Sequence, residues 1–109
     1  MIQHGLSRME LIIGTEALNN LRNKKVVVLG LGGVGSYSVE ALARAGIGNI
    51  VVVDDDTVCL TNLNRQIHAI NGTIGKFKTS VMKQRVESIS RRINVTEIIQ
   101  TVTRTFVNL

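Results

Sequence analysis

Four groups of residues in this 109-residue chain have the types and spacing to handle a phosphorylated ligand. Gly30, Gly32 and Gly35 fit G-x-G-x-x-G directly after the apolar run Val26–Leu29, and Gly33 adds a fourth glycine. The first glycine permits a tight turn, the second lets backbone N–H groups approach an anion, and the third lets the following helix pack on the strand. That helix turns its positive dipole end to the same spot. Asp54 lies 24 residues after Gly30, at the end of a second apolar run, where such folds place the acid that accepts hydrogen bonds from ribose hydroxyls. Asp55 and Asp56 follow, with a solvated turn as the alternative for both. If residues 61–66 make one helical turn, Asn62, Arg65 and Gln66 share a face by their i, i+3 and i+4 spacing. Arg65 could then grip phosphate with its forked guanidinium, and Lys78 could add a point charge at the start of the next helix; the alternative is an ion pair with the acid cluster. Three phosphates carry more charge than a pyrophosphate bridge, so this surplus of cationic and amide groups fits ATP better than NAD.

The elements that must position these groups follow from the pattern. Val26–Leu29 and Ile50–Val53 read as strands buried on both faces of a parallel sheet. Between them Val34–Ala45 reads as a helix, with Val34, Val39, Leu42 and Ala43 facing the sheet and Gly46 as its stop. Ahead of the first strand, Ser7 and Glu10 are spaced as a capping box for a helix that Gly14 ends, and Thr15 can cap a second piece. Thr61 can cap the turn toward Gln66. A long helix is expected over residues 76–92 with Met82, Val86, Ile89 and Ile93 as its buried stripe, then a third strand over 95–102. Asn108 could cap a further helix. The chain is therefore expected to be α/β, the N-terminal part of a Rossmann-like doubly wound parallel sheet, with three strands preceded by N-terminal helices. Such folds need about five or six strands, so residues 1–109 are expected to be an incomplete part of a larger nucleotide-binding domain.

Composition narrows the setting. Seven Lys and Arg against two Glu put the whole net charge of +5 in residues 76–109, while residues 1–75 balance. A basic face could meet nucleotide or nucleic acid, or could be a solvated helix face. One cysteine excludes an internal disulfide framework and fits a cytoplasmic setting, and no run is long enough to span a membrane. Cys59 is expected to be a small buried residue and not a nucleophile. His68 has no metal-spaced partner, as His4 is far off in sequence, so hydrogen bonding within its loop is its expected role.

Gly30–Gly35, then Asp54-x-Asp56-x-Val58, then Asn62-x-x-Arg65-Gln66 and Lys78 resemble the adenylation domain of the ubiquitin-activating, ThiF-like superfamily. Val58–Asn62, Asn64–Ala69 and the opening Ser7–Gly14 are most similar to its tRNA threonylcarbamoyladenosine dehydratase branch, and the similarity runs from about Ser7 to Val95. The resemblance implies attack of a substrate carboxylate on the α-phosphate of Mg-ATP, giving an acyl-adenylate and pyrophosphate. In that branch the carboxylate belongs to a modified adenosine of tRNA, and ring closure releases AMP. By motif position Gly32 and Gly33 would approach the phosphates, Asp54 would hold the ribose, Asn62 and Arg65 the phosphates, and Lys78 the developing charge, with Gln66 supporting the loop. Arg8 matches an arginine that reaches the partner subunit's ATP site, which implies a homodimer. The family's magnesium-binding aspartate falls beyond Leu109, so no metal ligand is expected within these residues.

Two rival enzymes and one inert reading remain open at this point. A sulfur-carrier adenylyltransferase, acting on the C-terminal glycine of a ubiquitin-like protein, would share all the ATP residues. An NAD-dependent oxidoreductase would leave Arg65 and Lys78 unexplained. A non-catalytic fragment would show no pyrophosphate exchange.

Overall fold

A computed structural model describes residues 4–103. The chain runs α1 (Ser7–Arg22), β1 (Lys25–Leu29), α2 (Gly33–Ala45), β2 (Asn49–Asp54), α3 (Lys78–Ile89) and β3 (Asn94–Ile99), with short 3-10 turns at Leu60–Asn62 and Asn71–Thr73. The strands form one parallel sheet in the order β1-β2-β3, with Val27 beside Val51 and Val51 beside Thr96. The expected three-stranded α/β architecture is therefore present. Among the described residues no helix is long and apolar enough to cross a membrane.

The core lies between the sheet and the helices α2 and α3. Ile50 and Val52 of the central strand pack with Leu31, Val39, Ala43, Met82, Val86 and Ile93, and Val26, Val28 and Val95 complete the layer. Side chains alternate along a strand, so the opposite face carries Val27, Leu29, Val51 and Val53. There the central Val53 is fully buried, whereas Val27 is 51% and Leu29 41% exposed. Glu40 ties the two helices together: its carboxylate accepts from Arg85 on α3 and from Arg44 one turn along α2.

Several local expectations are corrected. Ser7 does not cap α1; the helix starts at Ser7 and its Oγ accepts the His4 N–H at 2.6 Å. Gly14 does break the helix, in a positive-φ conformation at φ 86°, ψ 164°, and Thr15 Oγ1 donates across the break to Glu10 Oε2. Val34 is 84% exposed because α2 buries Ser36, Val39 and Ala43, and Val34 precedes that stripe by about half a turn. α3 is shorter than expected at both ends. Phe77 is extended while the Lys78 N–H donates to the Asp56 carbonyl, and extended Ser90 ends the helix, so Ile93 is buried at the entry to β3 and not on α3. Asn108 lies outside the described residues.

Candidate nucleotide site

The glycine turn sits at the C-terminal end of β1, between that strand and the start of α2. Gly30 adopts φ +91°, a conformation glycine takes without penalty, and its N–H donates to Val53. A Cβ on Gly35 would lie 1.8 Å from the Gly30 carbonyl oxygen, so that close helix–strand approach requires glycine. Gly32 faces open space, whereas a Cβ on Gly33 would stand 3.5 Å from the Arg65 carbonyl oxygen. The loop carrying Arg65 therefore lies against the first turn of α2.

Leu31, between the first two glycines, is the junction of the site. Its side chain is fully buried in the core. Its N–H donates to Asp54 Oδ2 at 2.6 Å, and its carbonyl lies 2.8 Å from His68 Nε2. Asp54, 8% exposed, also accepts the Asp56 N–H on Oδ1 at 2.8 Å, so the end of β2 is locked to the turn after β1. Lys78 is buried at the start of α3, with Nζ 3.8 Å from Asp56 Oδ2. Burial pushes the His68 imidazole below its ordinary value; the Leu31 bond and Asp54 oppose this, while the nearby Lys78 charge adds to it.

The loop between β2 and α3 is organised by Asn62. Its Oδ1 accepts the Cys59 N–H at 2.9 Å, and its carbonyl accepts the N–H groups of Arg65 and Gln66. Asn62, and not Thr61, thus closes this turn. Asn62 and Gln66 are both 4% exposed, while Arg65 points outward with no carboxylate within 4.0 Å among the described residues. Cys59 is exposed, contrary to expectation, because its neighbour Val58 turns into the small cluster with Ala69 and Val81.

The sequence-predicted groups at Gly30–Gly35, Asp54–Asp56, Asn62–Gln66 and Lys78 thus converge at one end of the sheet. Arg8 does not join them. It is exposed on the first turn of α1, beside Leu6, which packs on Gly46 at the opposite end of α2. A cavity of about 540 Å³ also lies at that far end, lined by Arg22, Arg44, Arg91 and Arg92 among others, and it is separate from the glycine turn. What sequence reasoning missed is the pairing of His68 with Leu31. The nearest signal was a histidine in the loop after the basic turn, which indicates hydrogen bonding without indicating a partner.

The open glycine turn at a helix N-terminus fits a nucleotide phosphate. Magnesium fits less well. The carboxylates of Asp54, Asp55 and Asp56 come within 4.8 Å of one another, but Asp54 is taken by two backbone N–H groups, Asp55 by Thr101 Oγ1 and Asp56 by Lys78. Each of the three carboxylates thus already has a partner within the protein.

The chain is similar to named proteins over most of its length. The tRNA threonylcarbamoyladenosine dehydratase of Bacillus subtilis (strain 168) is 51% identical over 92 residues, which is 84% of this chain and 36% of that protein. The sulfur carrier protein ThiS adenylyltransferase of Escherichia coli (strain K12) is 36% identical over 91 residues, again 84% of this chain and 36% of that protein. The crystal structure of E. coli tRNA N6-threonylcarbamoyladenosine dehydratase in complex with ATP superposes with a TM-score of 0.89 at 38% identity, covering 95% of this chain and 44% of that one. The chain thus spans about a third of the length of the curated relatives it matches. Residues 6–108 match the ThiF family throughout, and the chain belongs to that family.

Proposed function

We propose that these residues supply the ATP side of an adenylating site whose substrate is a carboxylate on tRNA, that of N6-threonylcarbamoyladenosine. One observation carries the reading: a glycine turn, a ribose-type aspartate, an outward arginine and a buried lysine meet at one sheet end, in a chain 51% identical to a named dehydratase of that class. In the proposed reaction a carboxylate oxygen attacks the α-phosphorus of ATP, the bond to the bridging oxygen breaks, and pyrophosphate leaves. A neighbouring group of the substrate then attacks the activated carbonyl, AMP departs, and the ring closes with net loss of water.

The roles assigned to single residues follow the family resemblance of the motifs. Gly32 and Gly33 would offer backbone N–H groups to phosphate, Gly30 and Gly35 would shape the turn, and Asp54 would meet the ribose with its remaining lone pairs. Arg65 would meet phosphate from the loop. Lys78, held by Asp56, would stabilise charge that develops at the α-phosphate. Asn62 and Gln66 would hold the loop. Magnesium would be bound mainly by groups other than Asp54–Asp56. Arg8 would serve a partner subunit's site, and the exposed Leu11 and Ile12 beside it on α1 give such a homodimer an apolar surface. A cytoplasmic location belongs with this activity.

ATP–pyrophosphate exchange tests the substrate. Label exchange is expected with tRNA bearing threonylcarbamoyladenosine and not with unmodified tRNA. Exchange that depends instead on a ubiquitin-like sulfur carrier would replace this reading with the adenylyltransferase one.

A further inference from the structure

We infer that His68 is a positioning residue of the nucleotide turn, acting through Leu31 to aim the Gly32 N–H at the ligand. The inference rests on the nucleotide reading of this turn and adds how its donor is oriented. A carbonyl oxygen can only accept, so the 2.8 Å contact with Leu31 requires His68 Nε2 to carry the proton. Nδ1 then has no hydrogen, and it has no partner among the described residues. Protonating it would bury an unpaired donor and a charge next to Lys78, so the neutral Nε2–H tautomer is the one this site selects.

The consequence passes through the peptide plane. In a trans peptide the C=O and the following N–H point in opposite directions. Holding the Leu31 carbonyl inward at His68 therefore turns the Gly32 N–H outward, where it has no acceptor among the described residues, and a Cβ added at Gly32 would meet nothing within 4 Å. The preceding plane is held in the complementary way. Asp54 takes the Leu31 N–H, so the Gly30 carbonyl on the other edge of that peptide is directed at Gly35. Two consecutive peptide planes are each fixed by one buried side chain, from residues 23 and 37 positions away, and the Leu31 side chain anchors both in the core. The backbone that carries the imidazole is itself tied down, since Thr73 Oγ1 donates to the His68 carbonyl at 2.8 Å.

The test compares His68→Gln, His68→Asn and His68→Leu in the whole chain. The Gln amide nitrogen reaches about as far as imidazole Nε2, Asn reaches only to the Nδ1 position, and Leu has no donor. Three readouts are taken: the imidazole 15N spectrum of the parent, the amide shift and exchange rate of Gly32, and ATP affinity by calorimetry. The expected result is an Nε2–H tautomer at pH 7 and a Gly32 amide that stays in place with Gln but moves with Asn and Leu. ATP affinity should be kept with Gln and fall about tenfold with the other two, the size of one lost hydrogen bond. An Nδ1–H tautomer, or a Gly32 amide indifferent to Asn and Leu, would overturn the inference. So would equal loss in all three variants. If the parent binds no ATP, the nucleotide reading falls, and the tautomer and amide signals still decide the role of His68. If the Leu variant does not fold, the Gln–Asn pair decides.

Discussion

Leu31 is an apolar side chain whose backbone does polar work, and the residues around it show where single changes matter. Gly35→Ala would drive a methyl into the Gly30 carbonyl, so we expect a loss at or above the usual ~1–3 kcal/mol of overpacking, read as a fall in thermal midpoint with loss of ATP binding. Asp54→Asn leaves one carbonyl oxygen for two N–H groups, and it should cost about 1–3 kcal/mol in urea unfolding. The pH dependence follows from His68 and Glu40. A histidine whose folded value lies below its ordinary 6.5 binds fewer protons when folded, so stability is full above that value and falls as pH drops through it toward the folded one. Glu40 is held below its ordinary 4.5 by the Arg85 hydrogen bond against the cost of burial, so its contribution is lost as pH falls further. Urea midpoints measured from pH 8 to pH 4 should therefore decline, first below about 6.5. A midpoint flat through pH 6 would contradict the buried neutral imidazole. At this scale the glycines and Asp54 were legible in the sequence because tight turns and strand ends impose residue type at fixed spacing. The His68–Leu31 bond was not, since it spans 37 residues and exists only once the loop has folded over α2.

Among the elements, α1 and the α2–α3 pair carry the instructive differences. Gly14 holds a conformation open essentially to glycine alone, so Gly14→Ala should cost about 1–3 kcal/mol or straighten α1, measurable as a lower thermal midpoint or a gain in helical circular dichroism. No change in either would mean the break is not imposed there. Glu40→Gln removes the charge shared by Arg85 and Arg44. Arg44 is 61% and Arg85 38% exposed at the side chain, so solvent screening limits the expected loss to about 1 kcal/mol. Element type and order were readable from the two apolar β-branched runs and the glycine between strand and helix. Boundaries were not, because they were set by contacts at a distance: the Asp56 carbonyl fixes where α3 starts, and the Cys59 N–H finds its cap in Asn62.

For the whole molecule, the sheet separates two ends with different chemistry. The ends of the strands after Leu29 and Asp54 gather the glycine turn, Asp54, Arg65 and Lys78, and the other end gathers Arg22, Arg44, Arg91 and Arg92 around a cavity. With tRNA as the proposed substrate, Arg91→Ala with Arg92→Ala should weaken tRNA binding and lower the salt dependence of log Kd by about 1–2. An unchanged slope would place RNA contact elsewhere. Charge segregation toward residues 76–109 was visible in the sequence, but the partnership of Arg91 and Arg92 with Arg22 and Arg44 depends on the fold bringing the ends of three helices together. The half-exposed Val27 and Leu29 face was equally hidden, since a strand expected to be buried on both sides gives no sign of which side is left open. On the proposed reading the glycine turn, Asp54, Arg65 and Lys78 form a site for ATP. Calorimetric titration of the chain and of its Arg65→Ala variant with ATP and with NAD tests it most directly. ATP should bind more tightly than NAD and lose affinity about tenfold or more in the variant, the scale of a charged hydrogen bond. Tighter binding of NAD, with no effect of the Arg65 change, would contradict it.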